Sequence, residues 1–264
     1  MNVLFTICGR AGSKGFKNKN LKSMQEIPLV YYSLAAIYLF KRAHPDYNVI
    51  TVLNTDSDEL CNLVKKQELI PDIVYLPRKE LLSGDRVAKV EVIKDIFLTM
   101  KKQMNFDIII DLDITSPIRR KQDIENVMQV LLSDTTLDLV FSVVEARRSP
   151  YFNMVEKKES GYYNKICQSS YTARQEAPES FELNASIYAY CPIFLDSDIT
   201  QTILEYRCGI STMPDYLVLD IDSEEDFRMM EILYSYYMKK DRGLSEIYMI
   251  ARQMASGHSK KEVF

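Results

Sequence analysis

The hydrophobic residues of this chain form short runs separated by polar, glycine and proline positions. Runs rich in Val, Ile, Phe and Tyr predict buried strands at 2–7, 49–54, 72–76, 106–113, 137–144, 185–190 and 216–221. Between many of them apolar residues recur with the period of an amphipathic helix, at 28–43, 57–67, 89–103 and 121–134. Two further helical segments follow residue 222. The alternation predicts an α/β fold, with a mainly parallel sheet flanked by helices.

The alternation stops between residues 145 and 184. This stretch is aromatic, basic and rich in turn residues, which predicts an insertion of extended segments and loops. The chain shows no internal repeat and no low-complexity linker. We therefore expect one domain over 1–264, interrupted by an insertion at about 145–184.

Composition and charge narrow the classes of function. A net charge of −4 gives no global attraction to nucleic acid or acidic membranes, so any anion site must be local. The longest apolar run, 27–40, is shorter than the roughly 20 residues that span a bilayer. Without a secretory signal or a C-x-x-C pair, the five cysteines are expected to be reduced thiols in a cytoplasm. Neither histidine is paired with a nucleophile, which leaves carboxylates, lysines, arginines and metals for chemistry.

The segment "CGRAGSKGFKNKN" at 8–20 is the first candidate site. Three of the eight glycines lie within it, interleaved with basic side chains, directly after the first predicted strand. Glycines let backbone N–H groups surround phosphate oxygens, and basic side chains add charge-assisted contacts. The spacing fits neither the P-loop nor the dinucleotide-binding fingerprint. From the pattern alone, a triphosphate site and a glycine-rich surface turn with solvated lysines both remain open.

Aspartate pairs of the form D-x-D are the second candidate. Asp56/Asp58 is typical of a helix start and Asp196/Asp198 of a turn. Asp111/Asp113 and Asp220/Asp222 instead follow strong predicted strands, where alternate side chains share one face. Two carboxylates so placed suit Mg²⁺, although each pair also fits a capped strand end.

Several motifs together resemble one family. "GRAGSKGFKNKNL", "TDSDEL", "LDITSPIRRKQDI", "ARQEAPESFELNASIY" and "LDIDSEEDF" occur in the order found in acylneuraminate cytidylyltransferases, also called CMP-sialic acid synthetases. The resemblance extends to about residue 235. Within the family, the segments "ARRSPYFNMVE" and "TARQEAP" and the "DLD" before "TSP" are most similar to the branch that activates legionaminic acid, a sialic-acid-like nonulosonic acid.

The resemblance implies a Rossmann-like nucleotidyltransferase fold and a cytoplasmic homodimer, with the insertion reaching across the dimer interface. It implies a Mg²⁺-dependent reaction in which the anomeric hydroxyl of a nonulosonic acid attacks the α-phosphorus of CTP and releases pyrophosphate. Arg10, Lys14 and Lys19 are the expected catalytic residues. The expected nucleotide contacts are Arg10, Gly12, Ser13, Lys14, Lys19, Asn20, Arg78 and Arg86. The expected sugar contacts are Asp113, Thr115, Ser116, Arg174, Gln175, Asn184 and Tyr188, and the expected metal ligands are Asp220 and Asp222.

The chain departs from the family pattern at three places. Asp113 stands where sialic acid synthetases usually have Gln, Glu182 replaces a basic residue, and the loop "SGDRVAK" differs from the usual "SDTAS" type. An ionised Asp only accepts hydrogen bonds whereas Gln also donates, so either a substrate contact differs or Asp113 joins the metal. The first two departures argue against plain N-acetylneuraminate. Arg147 and Arg148 have two interpretations: they bind the carboxylate of the sugar acid in place of the basic residue missing at 182, or they are solvated surface charges.

Alternative functions follow from the same residues. N-acetylneuraminate and pseudaminate are the alternative sugar acids. A glycosyltransferase that uses Asp111 and Asp113 as a nucleotide-sugar clamp is a second enzyme class, disfavoured because it needs no glycine-rich loop after its first strand. A nucleotide-binding protein without turnover is the non-enzyme alternative, disfavoured by Lys14, Lys19, Asp220 and Asp222.

Overall fold

The computed structural model describes residues 1–12, 15–84 and 86–257. The strands are β1 (Asn2–Gly9), β2 (Ser23–Met24), β3 (Ile27–Pro28), β4 (Asn48–Thr55), β5 (Val74–Pro77), β6 (Ile108–Leu112), β7 (Leu139–Glu145), β8 (Val155–Lys157), β9 (Tyr163–Lys165), β10 (Phe181–Tyr190) and β11 (Cys208–Thr212). The α-helices are α1 (Leu29–Ala43), α2 (Asp58–Lys65), α3 (Lys89–Met100), α4 (Lys121–Ser133), α5 (Pro192–Asp196), α6 (Glu224–Tyr237) and α7 (Arg242–Ser256).

Seven strands form one mixed sheet in the order β11-β7-β10-β6-β1-β4-β5. β1 runs parallel to β4 and β6, β5 is parallel to β4, and β11 is parallel to β7. β10 alone within this sheet runs antiparallel, between β6 and β7. The central strands are buried on both faces, as the continuous apolar runs of β1 and β6 predict. The mainly parallel sheet expected from the sequence is confirmed.

Alternate side chains of the sheet enter two cores. Phe5 belongs to a core that includes side chains of α1, α2, α4, α6 and α7, whereas its neighbour Leu4 belongs to a core with α3 and α5. Ser57 begins α2, as its position predicts, by accepting a hydrogen bond from the Leu60 N–H at 3.2 Å. Within the described ranges, none of the helices combines the length and apolar character that crossing a bilayer requires.

The prediction of a strand at 216–221 is wrong. The strand at this edge of the sheet is β11, which the hydrophobic pattern did not predict. Residues 215–217 form a short 3₁₀ turn and the segment continues without regular structure to α6. Leu217 and Ile221 are buried although they lie outside a strand, so their apolar character reports burial and not β-structure. β11, "CGIST", is mostly half-exposed and weakly apolar, which left it without a hydrophobic signal.

The segment predicted as an insertion contains extended pieces and loops. It includes the hairpin β8–β9 and a 3₁₀ turn at Arg174–Glu176, and its last residues already belong to β10. Val155, Tyr162 and Tyr163 are exposed on this hairpin. A role of the insertion in dimerisation stays a prediction.

Phe40 gives a direct test of the larger core. It is fully buried on α1 and its ring meets Phe5 edge-on, with 5.1 Å between ring centroids. We expect Phe40→Ala to lower the free energy of unfolding by about 3–5 kcal/mol, because the surrounding side chains cannot fill the cavity. Ile232→Ala, at a 70 % exposed position of α6, should change it by less than about 0.5 kcal/mol. Equal urea midpoints for the two variants would contradict this packing.

Candidate active site

The carboxyl ends of β1, β4, β5 and β6 meet at one edge of the sheet. In open α/β sheets, ligands bind in the crevice outside this edge. A cleft of about 300 Å³ lies there. It is lined by the predicted site residues Arg10, Lys19, Asn20, Arg78, Asp113, Thr115 and Asp220, together with Cys8 and Lys89.

The glycine-rich loop lines this cleft with residues at its two ends, Arg10, Lys19 and Asn20. Its start is held by Asn20, whose amide donates to the Arg10 carbonyl at 3.0 Å, and by Asp56, which accepts from the Ala11 N–H at 2.6 Å. Gly12 has a positive φ of 69°, and a Cβ at Gly15 would lie 2.9 Å from the Asp222 carbonyl oxygen. Ser13 and Lys14 lie outside the described residues.

Lys19 joins this loop to the distant end of the chain. Its ammonium donates to the Ile221 carbonyl at 2.9 Å and to the Asp222 carboxylate at 3.0 Å. The Asp222 side chain is 78 % exposed beside the cleft, while that of Lys19 is 21 % exposed. The structure therefore brings the basic loop and the last D-x-D pair together.

Asp220 carries an oxygen suited to a cation. Oδ1 is buried and has no hydrogen-bond partner among the described residues. Burial raises the pKa of Asp220, and the negative charge of Asp113 raises it further. No group of three or more His, Cys, Asp or Glu in the described ranges is arranged as a metal cage. Mg²⁺ is commonly held by only one or two carboxylates plus waters and phosphate oxygens, so Asp220 and Asp222 fit that ion.

Lys89 bridges the other D-x-D pair. Its Nζ lies 2.6 Å from Oδ2 of Asp111 and 2.6 Å from Oδ2 of Asp113. Burial disfavours the charged form of Lys89, but the two carboxylates outweigh it and raise its pKa well above the ordinary value. Burial likewise opposes ionisation of Asp113, yet Lys89 and the hydrogen bonds from Thr115 hold the pKa of Asp113 below its usual range. Lys89, Asp111 and Asp113 therefore form one ion-pair cluster at the cleft.

Arg119 is a buried residue that the sequence analysis missed. Its guanidinium donates to the hydroxyls of Ser33 and Ser186 at 2.7 and 2.9 Å and to the carbonyls of Asp113 and Ser116. Burial lowers its pKa to about 10, and the nearby aspartates oppose that change. The sequence does carry a hint of its burial, because in "TSPIRR" this arginine directly follows two apolar residues.

Ser116 and Asn184 were predicted to contact the sugar, but both are almost fully buried and neither is part of the lining of the cleft. Ser116 Oγ lies 2.8 Å from the Asn184 carbonyl and 3.2 Å from that of Leu219. The Asn184 amide donates to the Leu217 carbonyl at 3.0 Å and accepts from Ser142 at 2.6 Å. These contacts, with the Ile221 N–H donating to the Thr115 carbonyl, hold the segment that carries Asp220.

The remaining predicted residues lie at different distances from this cleft. Tyr188 is opposite Asp111 across the sheet, its ring centroid is 5.9 Å from Lys89 Nζ, and burial raises its pKa to about 12. Arg174 and Gln175 line a second cleft of about 350 Å³, where Arg174 donates to the Ala146 carbonyl at 2.7 Å. Arg86 is exposed and is not part of the lining of either cleft.

Comparison with known proteins identifies the protein family. A family model described as cytidylyltransferase matches residues 4–179. The chain belongs to the cytidylyltransferase family. CMP-N,N'-diacetyllegionaminic acid synthase of Campylobacter jejuni is 34% identical over 241 residues, which cover 88% of this chain and 95% of that relative. Post-translational flagellin modification protein B of Campylobacter coli is 32% identical over 236 residues, 88% of this chain and 94% of the relative.

More distant relatives of this cytidylyltransferase fit the same class. An N-acylneuraminate cytidylyltransferase of Streptococcus agalactiae is 25% identical over 234 residues, 86% of this chain and 52% of the relative. The solved structure of CMP:2-keto-3-deoxy-manno-octonic acid synthetase complexed with CTP superimposes with a TM-score of 0.59 at 17% identity, over 89% of this chain and 99% of that one. A 4-diphosphocytidyl-2C-methyl-D-erythritol synthase from Anaerococcus prevotii gives 0.56 at 10% identity, over 88% and 98%. The superpositions confirm the Rossmann-like nucleotidyltransferase fold, and the family match confirms the enzyme class.

A substitution at Asn184 tests whether this residue supports the fold or contacts the substrate directly. We expect Asn184→Ala to lower the free energy of unfolding by about 1–3 kcal/mol, because buried groups of Leu217 and Ser142 lose their partner. The measurement is urea denaturation, with the exposed Gln122→Ala as the control. Unchanged stability combined with a raised KM for one substrate would instead make Asn184 a direct contact.

Proposed function

We propose that this cytidylyltransferase couples CTP to a nonulosonic acid of the legionaminic type and releases pyrophosphate. The observation that carries the proposal is the 34% identity to a CMP-N,N'-diacetyllegionaminic acid synthase across nearly the full length of both chains. N-acetylneuraminate is the second candidate, since a 25% identical relative is an N-acylneuraminate cytidylyltransferase. The Asp at 113 favours the first candidate, because a carboxylate cannot donate a hydrogen bond to the sugar as Gln can.

The proposed reaction is attack of the anomeric hydroxyl on the α-phosphorus of CTP. Such a transfer needs in-line positioning and neutralisation of phosphate charge more than covalent help from the protein. Arg10, Lys19 and Arg78 line the cleft and supply positive charge around the phosphates. Lys14, in the same loop, is assigned to this role by the family resemblance. Asn20 and Gly12 shape the loop that lies against the nucleotide.

Asp220 and Asp222 would hold the Mg²⁺ of the proposed reaction. The orphaned, buried Oδ1 of Asp220 and the exposed carboxylate of Asp222 support this role. When bound, the ion would neutralise phosphate oxygens and favour deprotonation of the attacking hydroxyl. Lys19 already pairs with Asp222, so it is positioned at the boundary between the metal ligands and the triphosphate loop.

The sugar acid is proposed to contact Asp113 and Thr115 in the cleft, with Tyr188 nearby. Its carboxylate suits an arginine, and Arg174 is assigned to the sugar acid by the family resemblance, with Gln175 as a further sugar contact. These two residues line the second cleft, within the segment proposed to form the homodimer contact. The exposed apolar side chains of Val155, Tyr162 and Tyr163 support such a contact.

The glycosyltransferase alternative loses its key feature in this fold. It requires Asp111 and Asp113 to be open to a metal and a nucleotide sugar, but Asp111 is fully buried and bonded to Thr6 at 2.7 Å. Lys89 occupies the space between the two carboxylates. Membership of the cytidylyltransferase family agrees with this geometry.

A substrate panel tests the proposed reaction. We expect pyrophosphate release from CTP only when a nonulosonic acid is supplied, with kcat/KM highest for N,N'-diacetyllegionaminic acid and lower for N-acetylneuraminic and pseudaminic acids. The measurement is a coupled pyrophosphate assay, with ATP, GTP and UTP as nucleotide controls. Absence of turnover with all three sugar acids would contradict the proposal.

Asp222→Ala tests the metal ligands. We expect kcat to fall at least about 100-fold, because metal stabilisation of transition-state charge is worth several kcal/mol, while the fold persists since the side chain is exposed. Asp198→Ala is the matched control, because it removes an exposed aspartate of another D-x-D pair outside the cleft. Near-wild-type kcat with Asp222→Ala would remove this residue from the metal site.

A further inference from the structure

The D-x-D pair of β6 has the arrangement of a cation site. Oδ2 of Asp111 and Oδ2 of Asp113 both lie 2.6 Å from one point, the Lys89 Nζ. The opposite oxygens are fixed by neighbouring donors. Thr6 donates to Oδ1 of Asp111 at 2.7 Å, and the N–H and hydroxyl of Thr115 each donate to Oδ1 of Asp113 at 2.8 Å. Ligands of a metal ion are oriented by outer hydrogen bonds in the same way.

The location of Lys89 at the start of α3 is electrostatically unfavourable for a positive charge. It is the first residue of α3, where the helix dipole is positive and a cation is normally disfavoured. The two carboxylates offset this cost. Oδ2 of Asp111 has no aligned hydrogen-bond donor among the described residues, so its partner is the ammonium charge itself.

The charges of the cluster balance. Asp111 and Asp113 contribute two negative charges, and Lys89 contributes one positive charge. The buried guanidinium of Arg119, bonded to the Asp113 carbonyl, supplies the second positive charge. Without Lys89, the two carboxylates would face only the one positive charge of Arg119, which leaves a net charge of −1 that attracts a cation.

From this geometry we infer that the Lys89 ammonium takes the position of a divalent cation at Asp111 and Asp113, so that this pair holds no metal ion in the native chain. Asp113 is then a ligand of lysine and not of the metal. The Lys89 side chain is 31 % exposed and lines the cleft, so it adds a positive charge to the lining that also contains Arg78 and Lys19. The inference is independent of which sugar acid the enzyme uses.

The test is to remove the ammonium and count divalent ions, with Mn²⁺ alone as the probe and no substrate present. We expect Lys89→Met to bind one more Mn²⁺ per chain than the wild type in a spin-resonance titration of free Mn²⁺. Its Tm should be lowered in metal-free buffer and rise with Mn²⁺ by more than that of the wild type, because the ion supplies positive charge to the two carboxylates that have lost Lys89. NaCl at equal ionic strength should not reproduce the rise.

Two further variants make the result specific. Lys89→Met/Asp111→Asn removes one charge of each sign, so we expect it to fold without Mn²⁺ and to bind the wild-type number of ions. Lys41→Met is the matched control, because Lys41 is 30 % exposed and 2.8 Å from Asp72. It should also bind the wild-type number.

Several outcomes would overturn the inference. The first is that Lys89→Met gains no Mn²⁺ site, or stays unfolded in Mn²⁺. The second is that the wild type binds two ions, one of which is lost with Asp113→Asn. Because no CTP or sugar acid is used, such a failure would leave the proposed activity untouched.

Discussion

The fully buried guanidinium of Arg119 is the interaction on which the active-site edge depends. Taking a guanidinium out of water is costly unless each of its donors finds an acceptor. Here the acceptors come from three places: α1 through Ser33, β10 through Ser186, and the loop after β6 through the carbonyls of Asp113 and Ser116. Any shift of one of these parts would leave a buried donor of the guanidinium without its acceptor. The loop that carries Asp113 is therefore fixed relative to the sheet.

That rigidity extends to the other end of the chain. Thr115 and Ser116, inside the fixed loop, hold the backbone at Ile221 and Leu219, and Asn184 holds it at Leu217. Asp220 lies within this segment, so its carboxylate is positioned although no strand or helix contains it. Lys19 then ties the glycine-rich loop to the same segment. A short chain of hydrogen bonds thus connects parts of the sequence about 200 residues apart, as the 202-residue separation of Lys19 and Ile221 illustrates.

Hydrophobic periodicity and loop position were sufficient to predict the main strands and helices and the location of the cleft. The succession of β1, β4 and β6 with their helices along the chain, and the placement of the glycine-rich loop and Asp111/Asp113 at the carboxyl ends of the strands, followed from apolar runs and from the geometry of parallel strands. The segment 216–221 was mistaken for a strand because burial and β-structure give the same apolar signal. The internal roles of Ser116 and Asn184 could not be predicted, because a motif gives residue types and not which polar atoms are already satisfied within the fold.

Two departures from the sialic acid synthetase pattern form a single physical unit. Asp113 replaces a neutral Gln, and the loop that ends at Lys89 differs from the usual type. The two side chains are joined by a 2.6 Å ion pair in the cleft. A carboxylate at 113 without a cation would add a second negative charge next to Asp111, which is fully buried, whereas a Gln would need no such compensation. The lysine and the aspartate are therefore best understood as one exchange, in which a neutral hydrogen-bonding group gives way to a pair of opposite charges.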